Sequence, residues 1–535
     1  MALQDRTPRP GLVLEVDKST PPILFHRGEG FSLENLPAGR TRVLYPAEPL
    51  NPIADPDGAI RDALLNPLKD DPLPSKLFAG MKLTIVFDDI SLPLPQMRRP
   101  DIRQRIIEQV LDMAAEANVD DVHIIAALAL HRRMTEDELR HAVGDRVYDA
   151  FAPTGLLYNM DAEDPDEMVM LGETSEGEEV QMVRRAAESD LIVYVNINMV
   201  SMNGGWKSTA TGLSGYSGIR HHHNVDTLLK SDLMDHKHSE FHNKNWRQGD
   251  VITAAGVKVF QIETTINNNV FGMDGPMSVL QKREWEWTAR DRASFIAMQK
   301  GLQIMPRKAR RKVFNDHLSP YGMTSVQAGE VEAVHESAVE NMLKQQLVQI
   351  EGQADILTMG LPYLSPYNVN SILNPILVMC LGLGYFFNMY RNKPLVRKDG
   401  VIIMTHPTPI EFHPVHHPSY IDFFEQVLPD TTDGHKIAHK YEKQFAEDEW
   451  YRHLYRTSYA YHGVHPLYMW YWGSNAMDHA AKIIIVGGDV KAVRRMGFTP
   501  ASTMNDALEI ASDVVGPQPT ITHLHNPPVV MADVI

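Results

Sequence analysis

The chain has 535 residues, of which 43% are hydrophobic and 22% charged, the balance of an ordinary globular protein. This length corresponds to about three domains and allows a large core without disulfides. The formal net charge of −17 opposes nonspecific binding to nucleic acid or anionic lipid, so we expect small molecules or protein surfaces as partners. The single cysteine, Cys380, excludes an internal disulfide and a multi-thiolate metal site and suits a reducing compartment.

Neither export nor membrane insertion is expected from the apolar segments of the chain. The start, MALQDRTPRPGLVLEV, lacks the cationic and apolar stretches of a signal peptide. The longest apolar run, residues 376–387, is shorter than the roughly 20 residues needed to cross a bilayer. We therefore predict a cytoplasmic protein in which this run is a buried helix and Cys380 is a packing residue.

The first part of the chain predicts an arm followed by a doubly wound α/β domain. Residues 1–75 are rich in proline and polar residues and are expected to wrap a later domain, with a short strand at 43–45. Residues 76–271 alternate apolar β-branched runs with helical patterns, as parallel sheets buried on both faces do. Pro100 and Asp101 are expected in the first turn of one helix, and Thr135 with Glu138 forms a predicted capping box of the next. The predicted strands are LTIVF (83–87), VHIIAAL (122–128), LIVYVNI (191–197) and VFQIETTI (259–266).

A second α/β domain is predicted over residues 272–480, with a closing strand and helix in 481–535. It contains the buried helix, and its predicted strands are ADILTMG (354–360) and GVIIMTH (400–406), followed by KIIIVGG (482–488) in the closing segment. Residues 450–472 hold three of the seven tryptophans and six of the eighteen tyrosines, which indicates an interface, a pocket wall or core packing. We expect two α/β domains with mostly parallel sheets and a site in the cleft between them.

Polar turns follow several of these strands, where ligands bind in open parallel sheets. FDDISLPLP (87–95) is a stiff acidic turn, and ALALHRRMTEDEL (127–139) places His131, a residue that can exchange protons near neutral pH, directly after a strand. Taken alone, each is more often an ordinary loop.

The third turn, NGGWKSTATGLSGYSGIRHHH (203–223), is the richest in chemistry. Its paired glycines allow close backbone approach, and Lys207 can serve as a covalent anchor or as a cation for phosphate. The spacing does not match a P-loop. His221, His222 and His223 are possible ligands of nickel, zinc, copper or iron, or a solvated tract. A further group, His236, His238 and His242, is a weaker metal candidate because it lacks the HExxH pattern.

In order and spacing, the three turns resemble those of the nickel-dependent lactate racemase family. That family has an Asp-Asp-x-Thr-Arg-Pro-x-Pro loop, a Gly-x-His-Arg loop and a Gly-Gly-x-Lys-x-x-x-Pro-Gly loop, with a histidine some 16 residues past the lysine. The counterparts are DDISLPLP, ALHRRMTEDEL, GGWKSTATG and His223, which follows Lys207 by 16 residues. ADILTMGLPYLSPYN and GGDVKAVRRMGFTPASTMNDALEIA are similar to later segments of the family, so the resemblance spans about residues 80–515, with extra sequence at the start and around 405–480.

The resemblance implies a nickel pincer nucleotide, a pyridinium mononucleotide that carries its own sulfur donors and is made by dedicated enzymes. Lys207 would be its covalent anchor, His223 the protein ligand of nickel and His131 a proton acceptor. The implied reaction takes hydride from the hydroxyl-bearing carbon of a 2-hydroxy acid and returns it to the other face of the 2-keto acid. The implied contacts with the cofactor come from Asp88, Asp89, Ser91, Gly204, Gly205 and Tyr367.

The sequence departs from the family at positions that bear on the substrate. Ser91, Leu92, Ala129 and Thr211 replace the family's threonine, arginine, glycine and proline, so its anion-binding arginine is missing unless Arg98, Arg99 or Arg132 substitutes. Ile197 and Asn198 occupy the region of the second acid/base histidine, and neither is a base at neutral pH. After the second-domain tyrosine, the polar candidates are Asn368 and Asn374.

We therefore predict a racemase or epimerase of a 2-hydroxy acid other than lactate, with His131 and His222 as the catalytic pair. A homo-oligomer is a possible assembly. Other candidates for the second proton carrier are His221, His406, His413, His416 and His417. The alternatives are hydride exchange between a hydroxy acid and a keto acid, or a protein that binds nickel or an organic acid without turnover. A zinc hydrolase is disfavoured because no open three-ligand pattern with a nearby glutamate is present.

Overall fold

The computed structural model describes residues 11–535, so residues 1–10 of the predicted arm lie outside the described part. The strands are β1 Val13–Glu15, β2 Ile23–Gly28, β3 Phe31–Glu34, β4 Thr41–Leu44, β5 Lys82–Asp88, β6 Asp121–Ala127, β7 Leu157–Asn159, β8 Met168–Glu173, β9 Glu179–Val183, β10 Leu191–Asn198, β11 Val259–Ile266, β12 Met323–Gly329, β13 Leu347–Ile350, β14 Ala354–Pro362, β15 Tyr390–Arg391, β16 Val396–Thr405, β17 Lys482–Val486, β18 Thr499–Ala501, β19 Ile521–Leu524 and β20 Met531–Val534.

The α-helices are α1 Pro56–Leu65, α2 Leu73–Lys76, α3 Ile102–Glu116, α4 Glu136–Phe151, α5 Arg184–Ala187, α6 Trp206–Gly212, α7 Tyr216–Ile219, α8 Val225–Leu229, α9 Glu240–Ala254, α10 Ala289–Ile304, α11 Arg307–Asn315, α12 Val331–Gln346, α13 Pro375–Met379, α14 Pro418–Asp422, α15 Gly434–Ile437, α16 Lys443–Glu447, α17 Glu449–Thr457, α18 His465–Trp472, α19 Ser474–His479, α20 Val490–Arg495 and α21 Met504–Val515. Within residues 11–535, no helix is both long and apolar enough to cross a bilayer.

The first large sheet has the order β12-β11-β10-β5-β6-β7, parallel except for the pair of β11 and β12. The strand order reverses between β5 and β10, since the chain continues outward through β6 on one side and β11 on the other. Every residue of β10 is buried, because helices cover both faces of a sheet of this kind. The polar turns after β5, β6 and β10 therefore converge at the carboxyl edge, beside the switch point where ligands bind in such sheets.

The second large sheet combines the C-terminal strands with strands from the beginning of the chain. Its main path is β1-β4-β19-β14-β16-β17-β18, and the neighbours from β4 to β18 are parallel. The predicted strand at 43–45 appears as β4, paired with β19, so residues of the predicted arm extend this sheet. The loops after β14 and β19 leave at neighbouring strand ends.

The predicted α/β class with mostly parallel sheets is confirmed, whereas the domain boundaries and the cleft between domains stay predictions. The capping box of Thr135 and Glu138 is present at the start of α4. Asp101 caps α3 by accepting from the N–H of Arg103. Pro100 therefore lies before the helix, whereas the sequence analysis placed it in the first turn. The apolar run at 376–387 forms α13 and a π-helical turn at Cys380–Phe386, with Cys380 fully buried.

Candidate active site

A cavity of about 190 Å³ lies where the strand ends of both large sheets supply loops. The turns after β5, β6 and β10 contribute the side chains that the sequence singled out, and the loops after β14 and β19 contribute others. The predicted site residues that line this cavity are Asp88, Asp89, Ser91, His131, Gly204, Lys207, His223 and Tyr367. Residues that are distant in sequence therefore surround one space.

A buried arginine fixes the acidic turn after β5. The guanidinium of Arg103 is 1% exposed and pairs with Asp101, while its Nη1 donates to the carbonyl oxygens of Asp88, Asp89 and Leu92. Because these bonds hold three successive points of the turn, the two aspartate side chains project from a rigid backbone. Arg103 does not line the cavity, so it is not placed to bind an anion there.

His131 is held by Asp89 through its Nδ1 atom. The distance from Nδ1 to Oδ2 of Asp89 is 2.7 Å, and Asp89 also accepts from the N–H and the hydroxyl of Ser91. Burial alone would raise the pKa of Asp89, but attraction to His131 and these hydrogen bonds lower it below its usual value. A carboxylate at Nδ1 orients the ring and places Nε2 at the cavity, the arrangement that a general base requires.

The turn that precedes Lys207 is built on Glu263, a fully buried residue of β11. Gly204 and Gly205 have φ values of +90° and +57°, in the left-handed region that favours glycine. The N–H of Gly205 donates to Oε1 of Glu263 over 2.6 Å, and Asn198 donates to Oε2 over 3.1 Å. A Cβ atom at Gly204 would lie 2.5 Å from Oε1 of Glu263. The paired glycines are thus required by this close approach, which sets the start of α6.

Lys207 lies in the first turn of α6 and points into the cavity beside the acidic turn. Burial lowers the pKa of Lys207, opposed by the charges of Asp88 and Asp89. Burial also raises the pKa of Asp88 to about 7, opposed by the N–H of Ile197 and by Lys207. Each shift favours the neutral form, and a neutral amine is the nucleophilic form of lysine.

His223 presents an uncharged imidazole to the same cavity. Burial lowers its pKa to about 3, with added repulsion from Lys207 and His131. The Nδ1 atoms of His223 and His222 lie 2.7 Å apart and share a hydrogen bond. When Nδ1 of His223 carries the proton of this bond, Nε2 of His223 keeps an unprotonated lone pair that can bind a metal. His222 is fully buried and does not line the cavity; it supports His223 from behind. Gly205 also acts from outside the cavity, through its bond to Glu263.

The remaining candidates from the sequence lie elsewhere. His221 contacts Glu179, and the side chain of His238 is 73% exposed. Among residues 11–535, no cluster of three or more histidine, cysteine or acidic side chains could hold a metal ion. Other candidates absent from the cavity lining are His236, His242, His406, His413, His416, His417, Asn368 and Asn374.

No arginine lines the cavity in the described part of the chain, so the family's missing arginine is not replaced there. Arg132 pairs with Glu138 at 2.7 Å, Arg99 pairs with Asp145, and Arg98 donates to the carbonyl of Leu318. Leu92 occupies part of the lining instead. A small anionic substrate therefore lacks a guanidinium partner in this cavity.

The structure also adds residues that the sequence did not single out. His465, from the start of α18, lies beside His131, and Asn526, from the loop after β19, has a buried carboxamide with neither polar atom hydrogen-bonded. Tyr468, Met469 and Trp472 make the aromatic segment a pocket wall, one of the roles considered for it. A histidine followed by proline in that segment was the only sequence signal for His465.

The donors in the cavity fit the nickel pincer nucleotide that the resemblance implies. Lys207 offers an amine with a lowered pKa, and His223 offers one uncharged ring nitrogen. The only sulfhydryl, Cys380, lies fully buried with its Sγ 3.7 Å from the sulfur of Met469, and burial raises its pKa. Cys380 does not line the cavity, so thiolate-type donors to a nickel centre would come from the cofactor itself.

Residues 28–234 match the family described as lactate racemase N-terminal domain. The fold is similar to that of the lactate racemase apoprotein from Thermoanaerobacterium thermosaccharolyticum, with a TM-score of 0.62 and 17% identity over 96% of this chain and 99% of that one. A Thermotoga maritima protein solved by a structural genomics consortium aligns with a TM-score of 0.48 and 13% identity over 92% and 100% of the two chains. No curated protein gives a significant match. The chain therefore carries a segment that matches the lactate racemase N-terminal domain, and its fold is similar to that of a lactate racemase.

Proposed function

We propose that this protein is a nickel-pincer-nucleotide-dependent racemase or epimerase of a 2-hydroxy acid other than lactate. The observation that carries the proposal is that Lys207, His223 and His131 line one cavity. The match of residues 28–234 to the lactate racemase N-terminal domain supports an isomerase. When bound, the cofactor supplies an acceptor and donor of hydride.

Some residues of the chain would hold the cofactor, and others would transfer a proton. Lys207 would form the covalent link and His223 would ligate nickel through Nε2. Asp88, Ser91, Gly204 and Tyr367 line the space around them. The Asp89 carboxylate holds the ring of His131, whose Nε2 takes the hydroxyl proton of the substrate or returns it.

The lining of the cavity supports a substrate with a larger apolar body than lactate. Leucine stands at position 92, and the surrounding wall is mainly apolar and aromatic, with members Leu94, Met199, Met202, Leu381, Phe386, Met389, Met469 and Trp472. The unpaired carboxamide of Asn526 offers both a donor and an acceptor to a polar group of the substrate. A buried amide of this kind gains a partner only when a ligand or water fills the cavity.

Intact-mass measurement after coexpression with the cofactor-making enzymes tests the attachment. The wild-type chain is expected to be heavier than the bare polypeptide, and Lys207→Ala should abolish the gain. Lys230→Ala, at an exposed lysine, is the matched control and should keep it. An unmodified Lys207 in protein from this coexpression would reject the proposal.

The reaction is tested with both enantiomers of lactate, 2-hydroxyisocaproate and 3-phenyllactate. Inversion at C2 with retention of a C2 deuterium in the same molecule supports racemisation. Deuterium in an added keto acid would support hydride exchange between acids. Stoichiometric nickel without turnover of any of them would favour a binding protein.

A further inference from the structure

The side chain of His465 lines the cavity, and one of its ring nitrogens forms no hydrogen bond. It is 2% exposed, and its Nε2 has no hydrogen-bond partner. Its ring centroid lies 5.4 Å from that of His131, with the two planes nearly perpendicular at 82°. A buried ring nitrogen without a partner costs free energy unless a ligand or water engages it, so this atom points to a ligand.

Three tyrosines fix the position of this ring. The hydroxyl of Tyr420 lies 2.6 Å from Nδ1 of His465, and the rings of Tyr461 and Tyr367 pack against it at centroid distances of 4.5 Å and 4.8 Å. Tyr367 also contacts the ring of His131, at 5.1 Å. A tyrosine hydroxyl can donate or accept, so Nδ1 can release or keep its proton as Nε2 changes state.

The position on β10 where the family's second histidine would lie cannot perform this role. Asn198 donates its amide to Glu263 and to the carbonyl of Asn203, and Ile197 is fully buried. His465 comes from the segment around 405–480 that has no counterpart in the motifs of the resemblance. A different part of the chain therefore brings a second imidazole to the cavity.

We infer that His465 is the second acid/base residue, which acts on one enantiomer of the substrate while His131 acts on the other. The inference rests on the proposed function and names a residue that replaces the missing histidine. If hydride leaves both enantiomers in the same direction, their hydroxyl groups would occupy two different positions in the cavity. Two neighbouring bases on the same side of the cavity serve these two hydroxyl positions.

Protons and electrons balance over one turnover. The hydrogen on C2 leaves with both electrons, the hydroxyl proton moves to one histidine, and the carbinol becomes a carbonyl. The keto acid turns, hydride returns to the other face of the carbonyl carbon, and the second histidine, which must carry a proton for this direction of turnover, gives that proton to the oxygen. The pair thus passes one proton from one ring to the other, and the substrate undergoes no net oxidation.

Trapping the keto acid from each enantiomer separately tests this division of labour. Cofactor-loaded protein is mixed with one enantiomer of the panel acid that it racemises fastest, with phenylhydrazine present. Wild type is expected to give one equivalent of hydrazone per site from either enantiomer. His465→Gln should give it from one enantiomer only, and His131→Gln from the other only. Racemisation should fall by about 10²-fold or more in both variants, the usual contribution of a general base.

Two further variants separate a catalytic role from a structural one. Tyr420→Phe keeps the His465 ring and removes its partner, so the same one-sided bias should appear in a weaker form. His413→Gln, from the histidine-rich segment outside the cavity, should trap the keto acid from both enantiomers as wild type does. Intact mass must show the same cofactor load in every variant.

The possible failures are distinguishable. Equal loss of hydrazone from both enantiomers in a fully loaded His465→Gln protein, or near-normal racemisation by it, would overturn the role of His465. Tyr420→Phe with no directional bias would count against it as well. If loaded wild type racemises none of the panel acids, the proposed function fails first, and the inference falls with it.

Discussion

The Nδ1 atom of His131 lies 2.7 Å from Oδ2 of Asp89, a contact that joins the turns after two neighbouring parallel strands. Asp89 is 4% exposed, so this carboxylate interacts with the histidine with little competition from water. The pair gives the cavity an oriented imidazole whose other nitrogen is free to exchange a proton.

We expect Asp89→Asn to lower kcat strongly with a smaller effect on KM. The amide keeps the size of the side chain but cannot balance an imidazolium, so the loss should be about 10²-fold or more. The control is Asp121→Asn, at the start of β6, where an aspartate lies 3.9 Å from His123 away from the cavity. Steady-state kinetics on both variants would contradict the role of Asp89 if the two kcat values were alike.

We expect Gly204→Ala to lose more stability than Gly256→Ala. Both glycines have a positive φ, of +90° and +84°, so each alanine carries a left-handed strain of about 1–2 kcal/mol. Only at Gly204 does the new Cβ also meet Glu263, whereas Gly256 has open space around it. Urea unfolding should therefore separate the two variants by a further ~1–3 kcal/mol.

The same comparison should appear in cofactor loading, because the Gly204 turn sets the position of Lys207. Added mass at Lys207 should fall in Gly204→Ala and remain at the wild-type level in Gly256→Ala. Equal stability and equal loading of the two variants would show that the contact with Glu263 does not constrain the turn.

We expect the folded state to lose stability as the pH falls from 6.5 toward 3. Burial lowers the pKa of His26, His223 and His406 to about 3, whereas an unfolded histidine titrates near 6.5. Below pH 6.5 the unfolded chain therefore binds more protons, and each such histidine costs about 1.4 kcal/mol per pH unit. Asp88 and Asp232, whose pKa values burial raises to about 7, act in the opposite sense. They are outnumbered, because burial also lowers the pKa of His222, His242, His416, His417, His465 and His523.

Urea midpoints at pH 7.5 and 5.5 check this prediction. His26→Phe should reduce the difference between the two midpoints, because the ring of His26 is 3% exposed with neither nitrogen hydrogen-bonded. His435→Gln, at a side chain that is 56% exposed, should leave the difference unchanged. A midpoint that is equal or higher at pH 5.5 would show that the buried histidines do not dominate.

We expect Leu92→Arg to raise kcat/KM for lactate. An arginine there would give the cavity a guanidinium for a carboxylate, and a charge-assisted hydrogen bond contributes about 1.5–3 kcal/mol. The value of kcat/KM for lactate should therefore rise by about 10-fold or more. Leu92→Gln, polar but uncharged, is the control; an equal rise in both variants would mean that charge is not the missing feature.

The sequence was informative wherever a local pattern repeats the geometry of an element. The apolar runs at 83–87, 122–128, 191–197 and 259–266 became β5, β6, β10 and β11, since strands buried on both faces need continuous apolar residues. The turns after these strands could be placed at one sheet edge by the rule for parallel strands alone. Asp88, Asp89, His131, Lys207 and His223 were identified in this way and by their resemblance to a family.

The tertiary structure decided everything that depends on contacts between distant segments. Three successive histidines look equivalent in the sequence, yet packing turns His223 to the cavity, buries His222 behind it and leaves His221 on Glu179. His465, at the start of α18, and Asn526, in the loop after β19, reach the cavity from positions more than 200 residues beyond Lys207, which no local pattern indicates. Local sequence determines the periodicity of burial, whereas the partner of a polar side chain is set by the packing of whole sheets, so the proton-carrying site emerges only from the folded chain.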